Sequence, residues 1–364
     1  MRARSSRPDW ARFFAVIRRQ RVEGLASDAL SRAGVSPPEP VASEIRQAAT
    51  GIARSNLLFA AESRRIQRLF EEAGVPHLFV KGGSLDMLAY GTLALKKARD
   101  IDMIVAPDAI VQACALLADA GYERTIPGPE VSPDRFPTWV ALCKETNWRH
   151  RQSGIIVELH TQLVDNPALL PGIGADSPSQ LVEIGPGIRL PTLRTEELFA
   201  YLCVHGATHA WSRLKWIADV AALLSHMEPA EAERLYRASL DLQVGRCSAQ
   251  ALLLCHQLFD LALPPSLLAE LRADRKTVWL AKVALATMAG EEELDDTVLG
   301  TVPIHLSHFA LGRGWRYKLA EANRKALSPY DRAAMPLPRP LHFLYPLLVL
   351  PSWLWRRIKG PAPL

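Results

Sequence analysis

Two aspartates one residue apart, Asp100 and Asp102, lie in a short apolar run that is typical of a β-strand. Because side chains alternate across a strand, both carboxylates are expected on one face of the sheet. Two carboxylates placed in this way form an oxygen-rich site of the kind that holds Mg²⁺ together with bound phosphates. A later apolar run at residues 155–160 offers Glu158 as a third acid. The residue types therefore predict a carboxylate site for a divalent cation.

A glycine pair precedes the aspartate strand. Gly82 and Gly83 follow an apolar run at residues 77–80, so they predict a turn after a strand. Glycine lets a backbone approach a phosphate closely, and Ser84 can add a hydroxyl and an amide where the next helix begins. Lys81, directly before the turn, carries a charge that suits a phosphate. The segment is thus a candidate phosphate-binding turn.

Each of these motifs alone has an ordinary structural explanation. Glycine pairs usually mark turns, and an Asp-x-Asp strand at a surface is more often solvated than bound to a metal. Lys81 and Arg99 could equally be solvated flanks of short strands, and Glu158 alone would be an exposed strand residue. The order of the motifs favours a site: a strand, a glycine turn, a helix, an acidic strand and a second acidic strand.

This ordered set resembles the nucleotidyltransferase superfamily that includes polymerase β and small antibiotic nucleotidyltransferases. More narrowly, the chain is similar to a bacterial family of uncharacterised nucleotidyltransferases, over roughly residues 8–290. The resemblance is carried by Lys81-Gly82, Tyr90, Arg99-Asp100-Ile101-Asp102, Glu158-Leu159-His160 and the helical block at 195–224. The gap of 15 residues between Ser84 and Asp100 is longer than usual in the superfamily. Two features depart from the family pattern: two lysines, Lys96 and Lys97, precede the arginine segment, and Glu158 stands where many relatives carry aspartate.

The resemblance implies an α+β fold, with a nucleotidyltransferase-like mixed sheet, helices and a largely helical C-terminal part. It implies that Asp100, Asp102 and Glu158 are the catalytic residues and bind Mg²⁺, or alternatively Mn²⁺, with a nucleoside triphosphate as substrate. In related folds a helical domain closes over the nucleotide, which extends the set of nucleotide-binding candidates. That set is Lys81, Gly82, Gly83, Ser84, Arg99, His160, His205, His209 and Lys215.

Three histidines in that set have alternatives. His160 lies two residues after Glu158, so it shares the strand face and is expected in the cleft beside the metals. His205 and His209 are four residues apart on one helix face. Such a pair can bind zinc, but the sequence offers neither an HExxH motif nor an evident third ligand. Packing within the helical part is therefore the favoured role of the pair.

Composition restricts the class of protein. A chain of 364 residues with 49% hydrophobic residues can bury a large core. The net charge of +5 is a mild excess, and without a concentrated basic patch beyond the N-terminal arginines no nucleic-acid partner is expected. The five cysteines form no CxxC pair and predict reduced, buried thiols. The N-terminus lacks the apolar core of a signal peptide, so a cytoplasmic location is expected.

Changes in periodicity divide the chain into four predicted parts. They are an N-terminal helical segment (1–75), a nucleotidyltransferase-like catalytic domain (76–192), a helical domain (193–290) and an irregular C-terminal segment with an apolar tail (291–364). Residues 9–33 predict one helix, which either packs on the protein, the favoured alternative, or lies on a membrane surface. The tail at 341–355 is too short and too broken by proline to span a membrane, which takes ~20 apolar residues. It suits packing or a peripheral contact with the inner membrane face about equally.

The function expected from the sequence is Mg²⁺-dependent transfer of a nucleotidyl group to an unidentified small molecule, sugar or peptide. The same site could instead handle another phosphate-linked donor, such as a nucleotide sugar. A third alternative is a non-catalytic nucleotide-binding or scaffold protein in a polysaccharide or natural-product biosynthetic complex. The presence of all three carboxylates, at Asp100, Asp102 and Glu158, favours an enzyme.

Overall fold

The computed structural model describes residues 8–128, 131–290, 302–326, 332, 337–348, 351 and 354. One mixed sheet of seven strands lies at the centre, in the order β3-β4-β5-β2-β1-β7-β6. The strands are β1 (His77–Phe79), β2 (Asp100–Val105), β3 (Tyr122–Ile126), β4 (Glu145–His150), β5 (Ile156–His160), β6 (Ser179–Gly185) and β7 (Ile188–Leu193).

Helices precede, connect and follow the strands, which confirms the α+β class with a largely helical C-terminal part. The first six are α1 (Trp10–Gln20), α2 (Glu23–Arg32), α3 (Val41–Glu72), α4 (Gly83–Tyr90), α5 (Ile110–Asp119) and α6 (Phe136–Leu142). After the sheet come α7 (Thr195–Thr208), α8 (Leu214–Ser225), α9 (Pro229–Asp241), α10 (Gly245–Phe259), α11 (Pro265–Ala273), α12 (Arg275–Ala289), α13 (Val302–Leu311) and α14 (Gly314–Ala326).

The pairing of the central strands places the predicted acids side by side. Strand β2 runs parallel to β5, and in this register Asp102 lies opposite Glu158. On the far side of β5, the antiparallel strand β4 places Asn147 opposite Glu158 and Glu145 opposite His160. Strands β4 and β5 thus form a hairpin, which adds a third strand to the acidic region.

The two faces of the sheet pack against different helices. Ile101 and Met103 of β2 are buried in a cluster with residues of α3 and α5. Ile104, on the opposite face, joins a second cluster that includes residues of α7, α8 and α10. Because side chains alternate along a strand, Asp100 and Asp102 share the face of Ile104. The carboxylates therefore face the C-terminal helices.

The N-terminal segment forms two helices where one was predicted over residues 9–33. Arg21, between α1 and α2, has a left-handed backbone with φ of 57°, which ends the first helix. The side-chain amide of Gln20 donates to the Met288 carbonyl at 2.9 Å, and its oxygen accepts from the Leu214 amide at 2.6 Å. Helix α1 thus packs on the body of the protein, as the favoured alternative predicted.

The C-terminal part is more regular than its sequence pattern indicated. Residues 302–326, inside the segment predicted to be irregular, form α13 and α14. Glu321 of α14 is 1% exposed and accepts hydrogen bonds from Asn166 and Arg324, which ties this helix to the loop after β5. A contact such as that between Glu321 and Asn166, which are far apart in the chain, leaves no periodic pattern in a sequence.

Other predictions for the C-terminal part fall on undescribed residues. Residues 291–301 of the segment predicted to be irregular lie outside the described ranges, as does much of the apolar tail beyond residue 348. None of the helices in the described ranges combines the length and the apolar character that a membrane crossing would need.

Asn56 of α3 holds the loop that leads into β2. Its side chain is 3% exposed, its amide donates to the carbonyls of Leu93 and Lys96, and its oxygen accepts from the Ala98 amide at 2.9 Å. Three hydrogen bonds from one buried side chain thus fix the loop directly before Asp100.

The Asn56→Ala variant is expected to lose about 1–3 kcal/mol of unfolding free energy, because three backbone groups of the loop lose their partner. Urea unfolding measures the change. Gln47→Ala, at an exposed position of the same helix, is the control and should stay within about 0.5 kcal/mol of the parent. Equal effects of the two substitutions would show that Asn56 does not hold the loop.

Candidate active site

The glycine turn and the aspartate strand line one cavity. Lys81, Gly82, Gly83, Asp100 and Asp102 all contribute to its wall, together with residues of α3. Gly82 has a φ of +65° and ψ of −138°, a backbone conformation that disfavours residues with a Cβ atom. The turn therefore needs glycine at this position, and helix α4 begins directly after it.

Three side chains on β2 and β5 point toward a common centre. Asp102, Glu158 and His160 each offer one ligand atom, and these three atoms lie within 4.8 Å of one another. Asp102 and His160 are both 3% exposed, whereas Glu158 is partly accessible. Oxygen and nitrogen atoms gathered in this way fit a divalent cation. Asp100 lies on the same strand face but is not a member of this group of described residues.

Lys81 neutralises the most deeply buried of these acids. Its ammonium lies 2.8 Å from Asp102 Oδ1 and 6.0 Å from the ring centroid of Tyr201 on α7. Burial alone would raise the pKa of Asp102, but the charge of Lys81 and the neighbouring His160 hold it well below the usual range. Asp102 is therefore ionised, and it provides the permanent negative charge of the site.

The other acids of the site hold protons more tightly. Burial, and then the negative charge of Asp102, raise the pKa of Asp100 to about 6. Burial and the charges of Asp102 and Asp100 raise the pKa of Glu158 to about 8. Crowded carboxylates of this kind are the arrangement that a cation relieves, since it replaces mutual repulsion with attraction.

The β4 strand supplies polar partners that the sequence did not single out. Glu145 Oε2 lies 3.4 Å from His160 Nδ1 and pairs with Lys144. Asn147 donates from Nδ2 to Glu158 Oε1 at 3.3 Å. Burial would raise the pKa of Glu145, but the Lys144 ammonium outweighs it and keeps the pKa low. The alternation of polar residues from 145 to 149 could have indicated that β4 contributes to the site, but only if the register of the hairpin had been known.

Two more of the predicted residues lie on α7, whose Tyr201 approaches Lys81, and directly after it. His205 is partly buried, His209 is accessible, and the His209 ring stacks on Trp216 with centroids 4.8 Å apart. Crowding by protein atoms, followed by repulsion from Lys81 and Lys144, lowers the pKa of His209 to about 4. The two histidines are thus neutral aromatic groups in a positive electrostatic environment near Lys81 and Lys144.

Two predicted phosphate-binding residues have less suitable surroundings. Ser84 is 0% exposed, and its hydroxyl makes no hydrogen bond to any described residue. Arg99, directly before β2, is exposed to solvent. Ser84 can therefore reach a ligand through its backbone amide at the start of α4, whereas its side chain is enclosed by protein.

A buried ion network joins the turn helix to the C-terminal helices. The Lys96 ammonium lies 2.8 Å from Asp86 Oδ1 of α4 and 3.0 Å from Asp219 Oδ2 of α8. The Tyr90 hydroxyl donates to the other oxygen of Asp219 at 2.8 Å. Lys96, Asp86 and Asp219 are 9%, 1% and 4% exposed. The network fixes α4, and with it the glycine turn, against α8.

The sequence comparison agrees with this geometry. No curated protein gives a significant match to the chain. A family profile described as "Uncharacterised nucleotidyltransferase" matches residues 6–260, which include the glycine turn, all three acids and helices α7 and α8. The chain therefore belongs to this family of uncharacterised nucleotidyltransferases.

Proposed function

We propose that the protein is a divalent-cation-dependent enzyme that transfers a nucleotidyl group from a nucleoside triphosphate to a small-molecule, sugar or peptide acceptor. The observation that carries the proposal is the convergence of Asp102, Glu158 and His160 within 4.8 Å beside the Gly82-Gly83 turn. An acidic pocket next to a backbone turn can bind a cation and a phosphate chain together. Membership of the family supports nucleotidyl transfer in general.

The reaction exchanges a phosphoanhydride bond of the triphosphate for a phosphoester bond to the acceptor. An acceptor oxygen forms a bond to the α-phosphorus, the bond from that phosphorus to the bridging oxygen breaks, and pyrophosphate leaves with the electron pair. When bound, Mg²⁺ or Mn²⁺ would neutralise phosphate charge. Asp100, Asp102 and Glu158 are the residues that would hold it.

The remaining roles belong to side chains around the turn. The amides after Gly82 bind phosphate oxygens at the start of α4, and Lys81 and Lys215 add positive charge. Without a cation, burial and the neighbouring acids raise the pKa of Glu158 to about 8; a bound cation offsets that repulsion and keeps Glu158 ionised, so that it can help to take the proton of the acceptor hydroxyl. His205 and His209, whose rings both contact Trp216, are proposed to contact the nucleotide.

Ligand-dependent thermal unfolding tests the proposal. Each nucleoside triphosphate is added with and without Mg²⁺ or Mn²⁺, and a ligand at 100 times its dissociation constant should stabilise the fold by roughly 2.7 kcal/mol. A cation-dependent shift with one triphosphate identifies the donor for an acceptor search that follows pyrophosphate release. A shift with nucleotide sugars alone would favour the other donor class. Tight nucleotide binding without pyrophosphate release for any acceptor would favour the non-catalytic scaffold.

Lys215 is expected to set the alkaline limit of nucleotide binding. Burial and repulsion from Lys96 lower its pKa to about 8, although Asp219 and Asp100 counteract the shift and Arg21 adds to it. The lysine is charged below this pH and loses its charge above it, so affinity for the triphosphate should fall as the pH rises beyond about 8. A bound phosphate raises this pKa, so the decline continues until the pH exceeds the higher pKa that Lys215 has in the complex.

The dissociation constant is measured by calorimetry from pH 7 to pH 10. The Lys215→Arg variant keeps its charge throughout this range and is expected to remove most of the decline. An identical pH profile in the parent and in Lys215→Arg would assign the alkaline limit to another group.

A further inference from the structure

His160 has an environment that differs from that of an ordinary core histidine. It is 3% exposed, and neither ring nitrogen makes a hydrogen bond with normal geometry to a described residue. Nε2 lies 3.4 Å from Asp102 Oδ1 and 3.7 Å from Glu158 Oε2. These distances exceed those of good N–H···O hydrogen bonds, which are about 2.7–3.2 Å. A buried imidazole nitrogen is thus directed at the point between two carboxylates without binding either of them closely.

We infer that His160 is itself a ligand of the catalytic cation, through Nε2, and that the site is a mixed oxygen–nitrogen site that prefers Mn²⁺ to Mg²⁺. The inference rests on the proposed function, because it concerns the cation of the same site. It extends that function by changing the donor set from three carboxylates to two carboxylates and one imidazole around one ion.

The spacing of the donor atoms agrees with this assignment. Ligands at about 2.1–2.2 Å from one ion lie at most about 4.4 Å apart, and the atoms of Asp102, Glu158 and His160 lie within 4.8 Å of one another. Side-chain shifts of a few tenths of an ångström would close the set. The Lys81 ammonium, 2.8 Å from Asp102 Oδ1, already places a positive charge at this position.

The other ring nitrogen faces a carboxylate, the type of group to which a metal-bound histidine usually donates. Histidine ligands commonly donate their second N–H to a carboxylate, which fixes the tautomer and makes the ligating nitrogen more basic. Here Nδ1 faces Glu145 Oε2 at 3.4 Å, and Lys144 holds that carboxylate in place. Lys144 therefore positions Glu145, and Glu145 positions the His160 ring so that Nε2 points toward Asp102 and Glu158.

The donor set determines which cation the site binds more tightly. Mg²⁺ prefers oxygen ligands and retains water, so an imidazole contributes little to its binding. Nitrogen donors favour the later divalent metals, and affinity rises from Mn²⁺ onward along the first transition row. Replacing His160 with glutamine should therefore weaken Mn²⁺ binding much more than Mg²⁺ binding.

The test uses the full-length protein with Mn²⁺ alone and needs no substrate. Electron spin-echo spectroscopy of the bound Mn²⁺ should show modulation from ¹⁴N, and labelling the histidines with ¹⁵N should replace this signal. In His160→Gln the nitrogen signal should disappear and the Mn²⁺ dissociation constant should rise at least tenfold. The Mg²⁺ constant, measured by competition, should change less than about threefold. His226→Gln, at an exposed position after α8, is the matched control and should leave both constants unchanged.

The outcomes separate this inference from the proposed function. Bound Mn²⁺ without a histidine nitrogen signal in the parent protein would overturn His160 as a ligand and leave the carboxylate site intact. Equal weakening of Mn²⁺ and Mg²⁺ in His160→Gln would make it a positioning residue instead. Absence of any cation binding would overturn the proposed function as well. If His160→Gln does not fold, the ¹⁵N experiment on the parent protein decides whether a histidine binds the cation. As a second variant, Glu145→Gln should keep the nitrogen signal while its affinity for Mn²⁺ falls about 10–100-fold.

Discussion

The Asp102→Asn variant is expected to lose cation-dependent nucleotide binding while it keeps the fold. Asp102 is the acid whose pKa is held low, and it lies opposite Glu158 and beside Lys81. Asparagine has nearly the same size but no charge. Loss of a partner behind a metal ligand costs roughly 10–100-fold in affinity, so loss of a charged ligand itself should cost at least 100-fold. The cation-dependent shift in unfolding temperature with the preferred triphosphate measures this change.

Asp108→Asn is the control, because Asp108 is exposed three residues after β2 and undergoes the same chemical change. It should keep the full nucleotide-dependent shift. Removing Asp102 also leaves the Lys81 ammonium without its close carboxylate partner, so the baseline unfolding temperature should fall somewhat in Asp102→Asn. Circular dichroism separates this loss of stability from unfolding. An undiminished cation-dependent shift in a folded Asp102→Asn protein would contradict the assignment of the site.

The Lys96→Met variant is expected to be strongly destabilised, by about 3–5 kcal/mol. The ammonium of Lys96 lies between the carboxylates of Asp86 and Asp219, and removing it leaves two buried acids without their cation. The free energy of unfolding from urea titration is the measurement. Lys97→Met is a stringent control, since Lys97 is the next residue, carries the same charge and is exposed.

The control should change the unfolding free energy by about 0.5 kcal/mol or less. Adding Asp86→Asn and Asp219→Asn to Lys96→Met should recover part of the lost stability, because the uncompensated charges are then removed together. A Lys96→Met protein as stable as Lys97→Met would show that the buried network contributes nothing to the fold.

The main strands were predictable because the patterns that identify them lie within a few consecutive residues. Alternation along β2 placed Asp100 and Asp102 on one face, and the glycine pair marked the end of β1. The α+β class and the family followed from the order of these motifs, and both are confirmed. The roles of the individual site residues stay predictions, which the variants described above address.

Contacts between distant parts of the chain were not predictable. Lys96 and Lys97 are adjacent and of the same type, yet only Lys96 is buried between two acids, one of them Asp219 on α8. Asn56 likewise forms hydrogen bonds to a loop about 40 residues later, and these bonds depend on how α3 packs against that loop. Such pairings depend on tertiary packing and strand register, for which a single sequence carries no periodic signal.

The continuous apolar cluster also determines how a substrate can reach the site. Leu78 and Val80 of the β1 region and Ile104 of β2 belong to the same buried cluster as residues of α7, α10 and α14. Opening the cleft by swinging the helices away from the sheet would expose this shared core, which costs about 25 cal/mol for each Å² of apolar surface. We therefore expect nucleotide to enter through movements of side chains and short loops at the edge of the cleft, and not through a hinge motion of the helices. We also expect the sheet and the C-terminal helices to unfold as one cooperative unit.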